Sequence, residues 1–374
     1  MTKEEFLVTP YTVEGNINYE KLIKKFGTEP IDNILLNRIK KHTGELHFML
    51  KRKIFFCHRD LNWLLNKYEN GEKFYIYTGR GPSGKMHLGH LLPFLFTKWL
   101  QDKFNCKTII QITDDEKYLF NKKKLEEYTK QGLENIKDII AVGLNPKLTE
   151  IMIDTYNSKT LYNNAIHFAK RLTISTIKSA FGFNDSYNIG QYFYTSFQAV
   201  PAILESVRQG KNIPCLIPLG VDQDPHFRLA RDVCPKLGYY KPAIIHSRFL
   251  PPLQGIEGKM SSSKEETAIF TTDDKETVRK KVMKYAFSGG RKTLEEHRKY
   301  GGNPEIDVSY QYLYQLLEPN DKKIKEIHEE YKSGNLLSGE LKQIMVKKAN
   351  EFLEKHQKAR RKAEEKIEKF LIKD

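Results

Sequence analysis

The sequence predicts an α/β fold: a mostly parallel sheet carrying a helical insertion, followed by an all-helical region. Three observations carry this. Five short β-branched or aromatic runs alternate with helical stretches. Polar strings fall directly after three of those runs. Beyond about residue 272 the strand pattern stops and only helical stretches follow. Strands alternating with helices argue for a parallel sheet covered on both faces.

Residues 1–70 are mixed. Val8–Val13 reads as a short extended segment, Tyr19–Phe26 and Ile31–Lys41 as helices, and Lys51–Phe56 as a basic then apolar run. His58–Leu65 reads as a helix with Trp63 on its buried side. His42, His47 and His58 lack the paired spacing of metal ligands. This region is expected to be an extension packed on the next domain.

Phe74–Thr78 is the first strand of the sheet, aromatic and β-branched. Gly79, Gly81, Pro82 and Gly84 break it. A helix then opens at His87 and His90, with Pro93 in or near its first turn. Lys107–Ile112 is the second strand. A polar helical stretch, Lys122–Ala141, leads to the third, Thr149–Ile153. Pro214–Leu219 and Ala243–His246 are the fourth and fifth. Such sheets bind ligands beyond the carboxyl ends of their strands. Thr78-Gly79-Arg80, Thr113–Glu116 and Val221–Asp224 fall there. Residues 155–210 read as a helical insertion. The expected organisation is a Rossmann-like catalytic domain over 71–272 and a helical domain over 273–374. The latter comprises Lys275–Ala286, Tyr310–Leu317, Asp321–Tyr331 and Ser338–Phe370, the last with Ser338 as its N-cap.

Lysine and arginine number 62 against 47 acids, a net charge of +15. That favours a polyanionic partner, most simply nucleic acid. The run Lys358-Ala-Arg360-Arg361-Lys362 fits a solvated face or a helix laid along a phosphate backbone; the overall charge tilts the reading to the second. The four cysteines form no CxxC pair and no His/Cys cluster has zinc spacing, so a reducing compartment and no structural metal are expected. The first residues carry no secretory or transit pattern, and no apolar run approaches spanning length. A cytoplasmic protein with no membrane partner is the expectation.

A strand, a glycine loop and a helix N-terminus can hold phosphate, because free N–H groups and the helix dipole point at the anion. An ordinary turn before a helix fits the same residues. The deciding string is Gly258-Lys259-Met260-Ser261-Ser262-Ser263. One lysine followed by three hydroxyls suits an ATP triphosphate: a point charge plus neutral donors. Together with Met86-His87-Leu88-Gly89-His90, in that order across an α/β domain, the pair is specific.

The two strings resemble the paired motifs of the class I aminoacyl-tRNA synthetases. Tyr77–Ser83, Thr113–Leu119, Val221–Pro225, Phe287–Arg291 and Asp307–Ser309 are similar to the tryptophanyl branch of that class, in its eukaryotic and archaeal cytoplasmic form. Within that resemblance Ser83–Lys85 is one residue short, and Ser262 stands where relatives often carry alanine.

The resemblance implies ATP, L-tryptophan and tRNA(Trp) as substrates, Mg²⁺ riding on the ATP phosphates, and a homodimer. It implies an ATP site of Thr78, Gly79, Arg80, His87, Gly89, His90, Asp222, Lys259, Met260, Ser261 and Ser263. Lys259, Ser261, Ser263, His87 and His90 would act on the reaction itself. A carboxylate attacking the α-phosphorus is already ionised at neutral pH, so no protein base is needed. The task is alignment and stabilisation of charge on the leaving pyrophosphate. The basic helical tail, with Arg360, Arg361 and Lys362, would carry tRNA.

For the amino acid, indole offers one donor and no acceptor. A tryptophan pocket therefore needs an acceptor in an apolar cleft. Tyr77 and Gln111, at the ends of two strands, each supply an oxygen; by resemblance they meet the indole N–H, and Glu116, with Gln198 and Gln223, takes the α-ammonium. On residue chemistry alone, Tyr77 and Gln111 also fit as ordinary buried partners, and Glu116 as half of a lysine pair. Three other readings share some of these features: a tyrosyl-tRNA synthetase, a nucleotidyltransferase acting without tRNA, and a non-catalytic descendant used as a scaffold.

Overall fold

The computed structural model describes residues 6–10, 13–15, 17–260 and 265–374. All five expected strands are present. With those of the extension they are β1 (Phe6–Val8), β2 (Val13–Gly15), β3 (Glu29–Pro30), β4 (Phe55–Arg59), β5 (Tyr75–Arg80), β6 (Thr108–Ile112), β7 (Thr149–Ile153), β8 (Cys215–Gly220) and β9 (Ala243–Ser247). β5 to β9 form a parallel sheet in the order β9-β8-β5-β6-β7. β5, at the centre, carries the glycine loop at its carboxyl end, where the strand order reverses; this is where open α/β sheets bind ligands.

The period-two alternation of each strand separates two cores. Ile76, Ile110, Ile112, Ile151 and Ile153 face one side, with Leu88–Phe104, Leu125–Ala141 and the C-terminal helices. Tyr75, Tyr77, Ile109, Met152 and Ile217 face the other, with residues of the 155–210 insertion such as Leu161, Phe168 and Val200. The insertion is helical, as expected: Ser158–Ala169, Ile174–Phe181, Ile189–Phe197 and Leu204–Gln209.

The extension goes further than packing on the domain: it lengthens the sheet. β4 pairs antiparallel with β9, and β3 with β4. The expected helix from His58 therefore begins later, at Leu61, because His58 and Arg59 belong to β4. Trp63 is only partly buried, against the first core. β1 and β2 pair antiparallel with Val8 opposite Val13, while residues 11–12 of the expected Val8–Val13 segment lie outside the described residues. His42 bonds Glu69 at 2.9 Å, His47 accepts from the Met49 amide at 3.3 Å, and His58 lies in β4, so the three histidines are used separately.

The C-terminal helices share the first core with the sheet. The last long helix, Ser338–Glu364, lies along Leu125–Ala141. Ser338 is its first residue and not its cap; the cap position is Leu337, whose amide donates to Glu340 at 2.8 Å. The Ser338 hydroxyl instead meets the Tyr331 hydroxyl at 2.9 Å. The strings Phe287–Arg291 and Asp307–Ser309 form a tight knot here: buried Asp307 accepts from the Gly289 amide at 2.9 Å and from the Tyr331 hydroxyl at 2.8 Å. After the helix the chain returns to the sheet edge, where the Ile372 amide donates to the Ile151 carbonyl at 2.9 Å. No helix among the described residues is long and apolar enough to cross a membrane.

Candidate active site

The carboxyl ends of β5, β6, β8 and β9 surround a cleft of about 610 Å³. Its lining includes Arg80, His87, Gly89, His90, Glu116, Gln198, Asp222, Gln223, Lys259 and Met260. Residues far apart in the chain, such as Arg80 and Met260, thus line one cleft.

The two motif segments are physically joined. Met86–Leu88 pairs with Ile269–Thr271, the stretch that follows the lysine-serine string: the Leu88 amide donates to Ile269 at 3.0 Å and the Thr271 amide to Met86 at 2.9 Å. Met260 is buried and accepts from the Tyr312 hydroxyl at 3.3 Å. Gly89 permits this seating, since a Cβ there would lie 2.5 Å from the Met260 methyl carbon. Ser261 and Ser263 lie outside the described residues.

His87 and His90 stack with ring centroids 3.4 Å apart. Burial, reinforced by the Arg80 and Lys259 charges, holds both well below the usual imidazole range, so they are neutral at physiological pH. Neither ring nitrogen of His87 has a partner, and Arg80 presents buried, unpartnered Nε and Nη2. Burial lowers the Arg80 guanidinium to about 10, which still leaves it charged. Unsatisfied buried donors of this kind are costly unless a ligand uses them. Lys259 Nζ lies 2.9 Å from Asp222 Oδ2, which also accepts from Gln223 Nε2 at 3.1 Å. The Thr78 hydroxyl donates to the Pro218 carbonyl at 2.9 Å, which leaves its oxygen to a ligand as an acceptor. Gly79 brings the backbone against β6, where a Cβ would sit 2.9 Å from the Gln111 carbonyl.

The residues expected to bind the amino acid fall into distinct groups. Tyr77 and Gln111 are both fully buried on the insertion side of the sheet. The Tyr77 hydroxyl donates to Gln111 Oε1 at 2.5 Å. Gln198, expected beside Glu116, sits over this pair: its Nε2 is 2.7 Å from the Tyr77 oxygen and 3.2 Å from Gln111 Oε1. Glu116 is apart, accepting from Thr113 at 2.9 Å and pairing with Lys117 at 2.9 Å. Burial would raise its pKa, but Lys117 and Thr113 outweigh burial and hold the carboxyl below its usual range. Gln223 belongs with Asp222.

Sequence reasoning missed several participants. Asp154, just past β7, accepts from Gln111 Nε2. Arg248, just past β9, lines the cleft with its guanidinium over Tyr19 at 4.8 Å and an unpartnered Nε. Pro10 also lines the cleft, and the Gly258 amide donates to Gly15 in β2 at 3.3 Å. Asp154, Arg248 and Pro10 sit in no motif, and the contacts that bring them to the site are distant in sequence.

Of the three tail cations, Arg360 is already engaged. It bonds Glu134 at 2.7 Å, with its Nε 3.2 Å from Asp138, and so ties two helices together. Those contacts give Arg360 a structural role beside its expected place as a phosphate ligand. Arg361 and Lys362 are exposed.

A family model described as tRNA synthetases class I (W and Y) matches residues 69–354. The chain belongs to that family. It is 54% identical over 368 residues to the tryptophan–tRNA ligase of Saccharolobus solfataricus, covering 98% of this chain and 95% of the relative. It is 49% identical to that of Thermococcus onnurineus over 98% of this chain and 94% of the relative. The crystal structure of Plasmodium falciparum tryptophanyl-tRNA synthetase superimposes with a TM-score of 0.90 at 48% identity, over 95% of this chain and 97% of that one. Membership makes the chain an aminoacyl-tRNA ligase. The tyrosyl alternative finds no support among these relatives, whose names all specify tryptophan.

Proposed function

We infer that this chain activates L-tryptophan with ATP, releasing pyrophosphate, and transfers tryptophan to the 3′-terminal adenosine of tRNA(Trp). The carrying observation is the convergence of His87, His90, Arg80 and Lys259 on one cleft, which Gln198 joins to the buried Tyr77–Gln111 pair.

Activation forms a bond between the tryptophan carboxylate and the α-phosphorus and breaks the bond to pyrophosphate. No base is required, so the site works by positioning and charge stabilisation. Lys259 and Arg80 supply positive charge for the leaving group. The neutral imidazoles of His87 and His90 act as hydrogen-bond donors. Lys259 must leave Asp222 to reach a phosphate, which frees Asp222 for a ribose hydroxyl; one ion pair thus links nucleotide binding to the lysine's release. Arg248 adds a third cation on the β9 side. Ser261 and Ser263 remain assigned to the phosphates by their place after Lys259. Among the described residues no group of three or more His, Cys, Asp or Glu side chains could hold a metal ion, so Mg²⁺ is assigned to the phosphate oxygens, where it would neutralise charge.

Tyr77 and Gln111 receive the indole N–H once Gln198 gives way, and Glu116 receives the α-ammonium. The helices after residue 273 are assigned to tRNA, with Arg361 and Lys362 on the exposed side. A second copy of the chain is assigned to the insertion, which exposes Tyr162, Ile166, Ile174 and Ile189. The reading is tested by charging tRNA(Trp) and tRNA(Tyr) transcripts with the purified chain. Tryptophan on tRNA(Trp) alone is expected; tyrosine on tRNA(Tyr) would overturn it.

A further inference from the structure

We propose that Asp154 is a positioning residue for tryptophan selectivity, holding the Gln111 amide so that its oxygen faces the pocket. This rests on the reading of Tyr77 and Gln111 as the indole site.

A glutamine amide has a donor end and an acceptor end of nearly equal shape. Which end faces the substrate decides whether the site welcomes an N–H. Asp154 settles this for Gln111. It is 3% exposed, and both its carboxyl oxygens lie 3.0 Å from Gln111 Nε2. Turning the amide over would set the Gln111 oxygen against those oxygens. Asp154 is itself fixed: its amide donates to the Ile112 carbonyl at 3.1 Å, and its side chain shares a hydrogen bond with Asp115. Burial holds the Asp154 carboxyl well above the usual range, so its proton is spent on Asp115 and its lone pairs are left for Gln111 Nε2.

The polarity then propagates. With Nε2 spent on Asp154, Gln111 Oε1 takes the Tyr77 proton at 2.5 Å. The Tyr77 oxygen is left as an acceptor. Two acceptors therefore face the pocket, and the Nε2 of Gln198 occupies both, at 2.7 and 3.2 Å. An amide N–H stands where an indole N–H is expected to donate. Were Gln111 reversed, Tyr77 would have to direct its proton to the Gln198 carbonyl, 3.2 Å away, and the pocket would present a donor to a donor. Asp154 does not line the cleft; Gln111, which it holds, meets the cleft through Gln198, which does line it.

The test is ATP–pyrophosphate exchange by the full chain, giving kcat/KM for tryptophan and for 3-benzothienylalanine, in which sulfur replaces the indole N–H. The ratio of the two values is independent of the folded fraction. Asp154→Leu is expected to lower that ratio by about 10- to 100-fold, since the amide loses its anchor. Asp154→Asn keeps a carbonyl toward Gln111 and an N–H toward Asp115, and is expected to stay close to the unmodified chain. Asp154→Ala, read by the same ratio, replaces the leucine variant if that fails to fold. Equal losses for both substrates, or no loss, would overturn the proposal. Gln111→Leu separates the two levels. If it lowers the ratio while Asp154→Leu does not, this inference alone fails; if it leaves the ratio unchanged, the indole-site reading fails with it.

Discussion

At the scale of single residues, the site is organised by polar groups held in a chosen state rather than by a titrating base. His87 and His90 are kept neutral by burial beside cations. Lys259 lies 2.9 Å from Asp222. Charge on the leaving pyrophosphate grows toward the transition state, so Lys259 should matter more there than in binding. Lys259→Ala is expected to slow tryptophan-dependent pyrophosphate exchange by about 100-fold or more, while tryptophan affinity by equilibrium dialysis changes little. Equal losses in both would remove Lys259 from its assigned role. Tyr77→Phe deletes one pocket acceptor but leaves Gln111 Oε1 within reach of Gln198. It should raise the KM for tryptophan about 10-fold with little change in melting temperature; an unaltered KM would place the indole elsewhere.

At the scale of elements, the extension is tied to the catalytic sheet through a buried charge. Arg59 of β4 forms two 2.8 Å contacts to Asp224, which is fully buried and also bonded to His246 at 2.8 Å. Burial would raise the Asp224 pKa, but His246 and Arg59 outweigh it and bring the carboxyl to about 2. Arg59→Ala leaves that charge half-compensated and should cost about 3–5 kcal/mol, seen as a lower urea midpoint; an unchanged midpoint would mean the extension is dispensable to the fold. The β5–β9 strands were legible because each is a short β-branched or aromatic run bounded by turn residues. β4 was not. It lies antiparallel to β9, carries an irregularity between Phe55 and Cys57, and ends in His58 and Arg59, whose partners lie far off in sequence. The site shows the same division. Lys259, Gly89 and the histidines announce themselves by spacing, whereas Asp154 and Arg248 come into view only when β7 is placed beside β6 and β9 beside the cleft.

At the scale of the whole molecule, a net charge of +15 is spread over a chain whose C-terminal helices share a core with the sheet. Part of the basic tail is structural: Arg360 with Glu134, His356 with Asp138 and Lys137 with Glu364 fasten Ser338–Glu364 to the catalytic layer. Arg361 and Lys362 are exposed and available to phosphate. Neutralising both should reduce the steepness of the log Kd against log salt plot for tRNA by up to about 2, whereas Arg360→Ala should chiefly lower stability. An unchanged slope for the double variant would make that run a solvated face. The central claim, that one cleft joins a tryptophan pocket to an ATP site, is tested most directly by ATP–pyrophosphate exchange with tryptophan and with tyrosine as the sole amino acid. Exchange with tryptophan and none with tyrosine is predicted; exchange with tyrosine, or with neither, would contradict it.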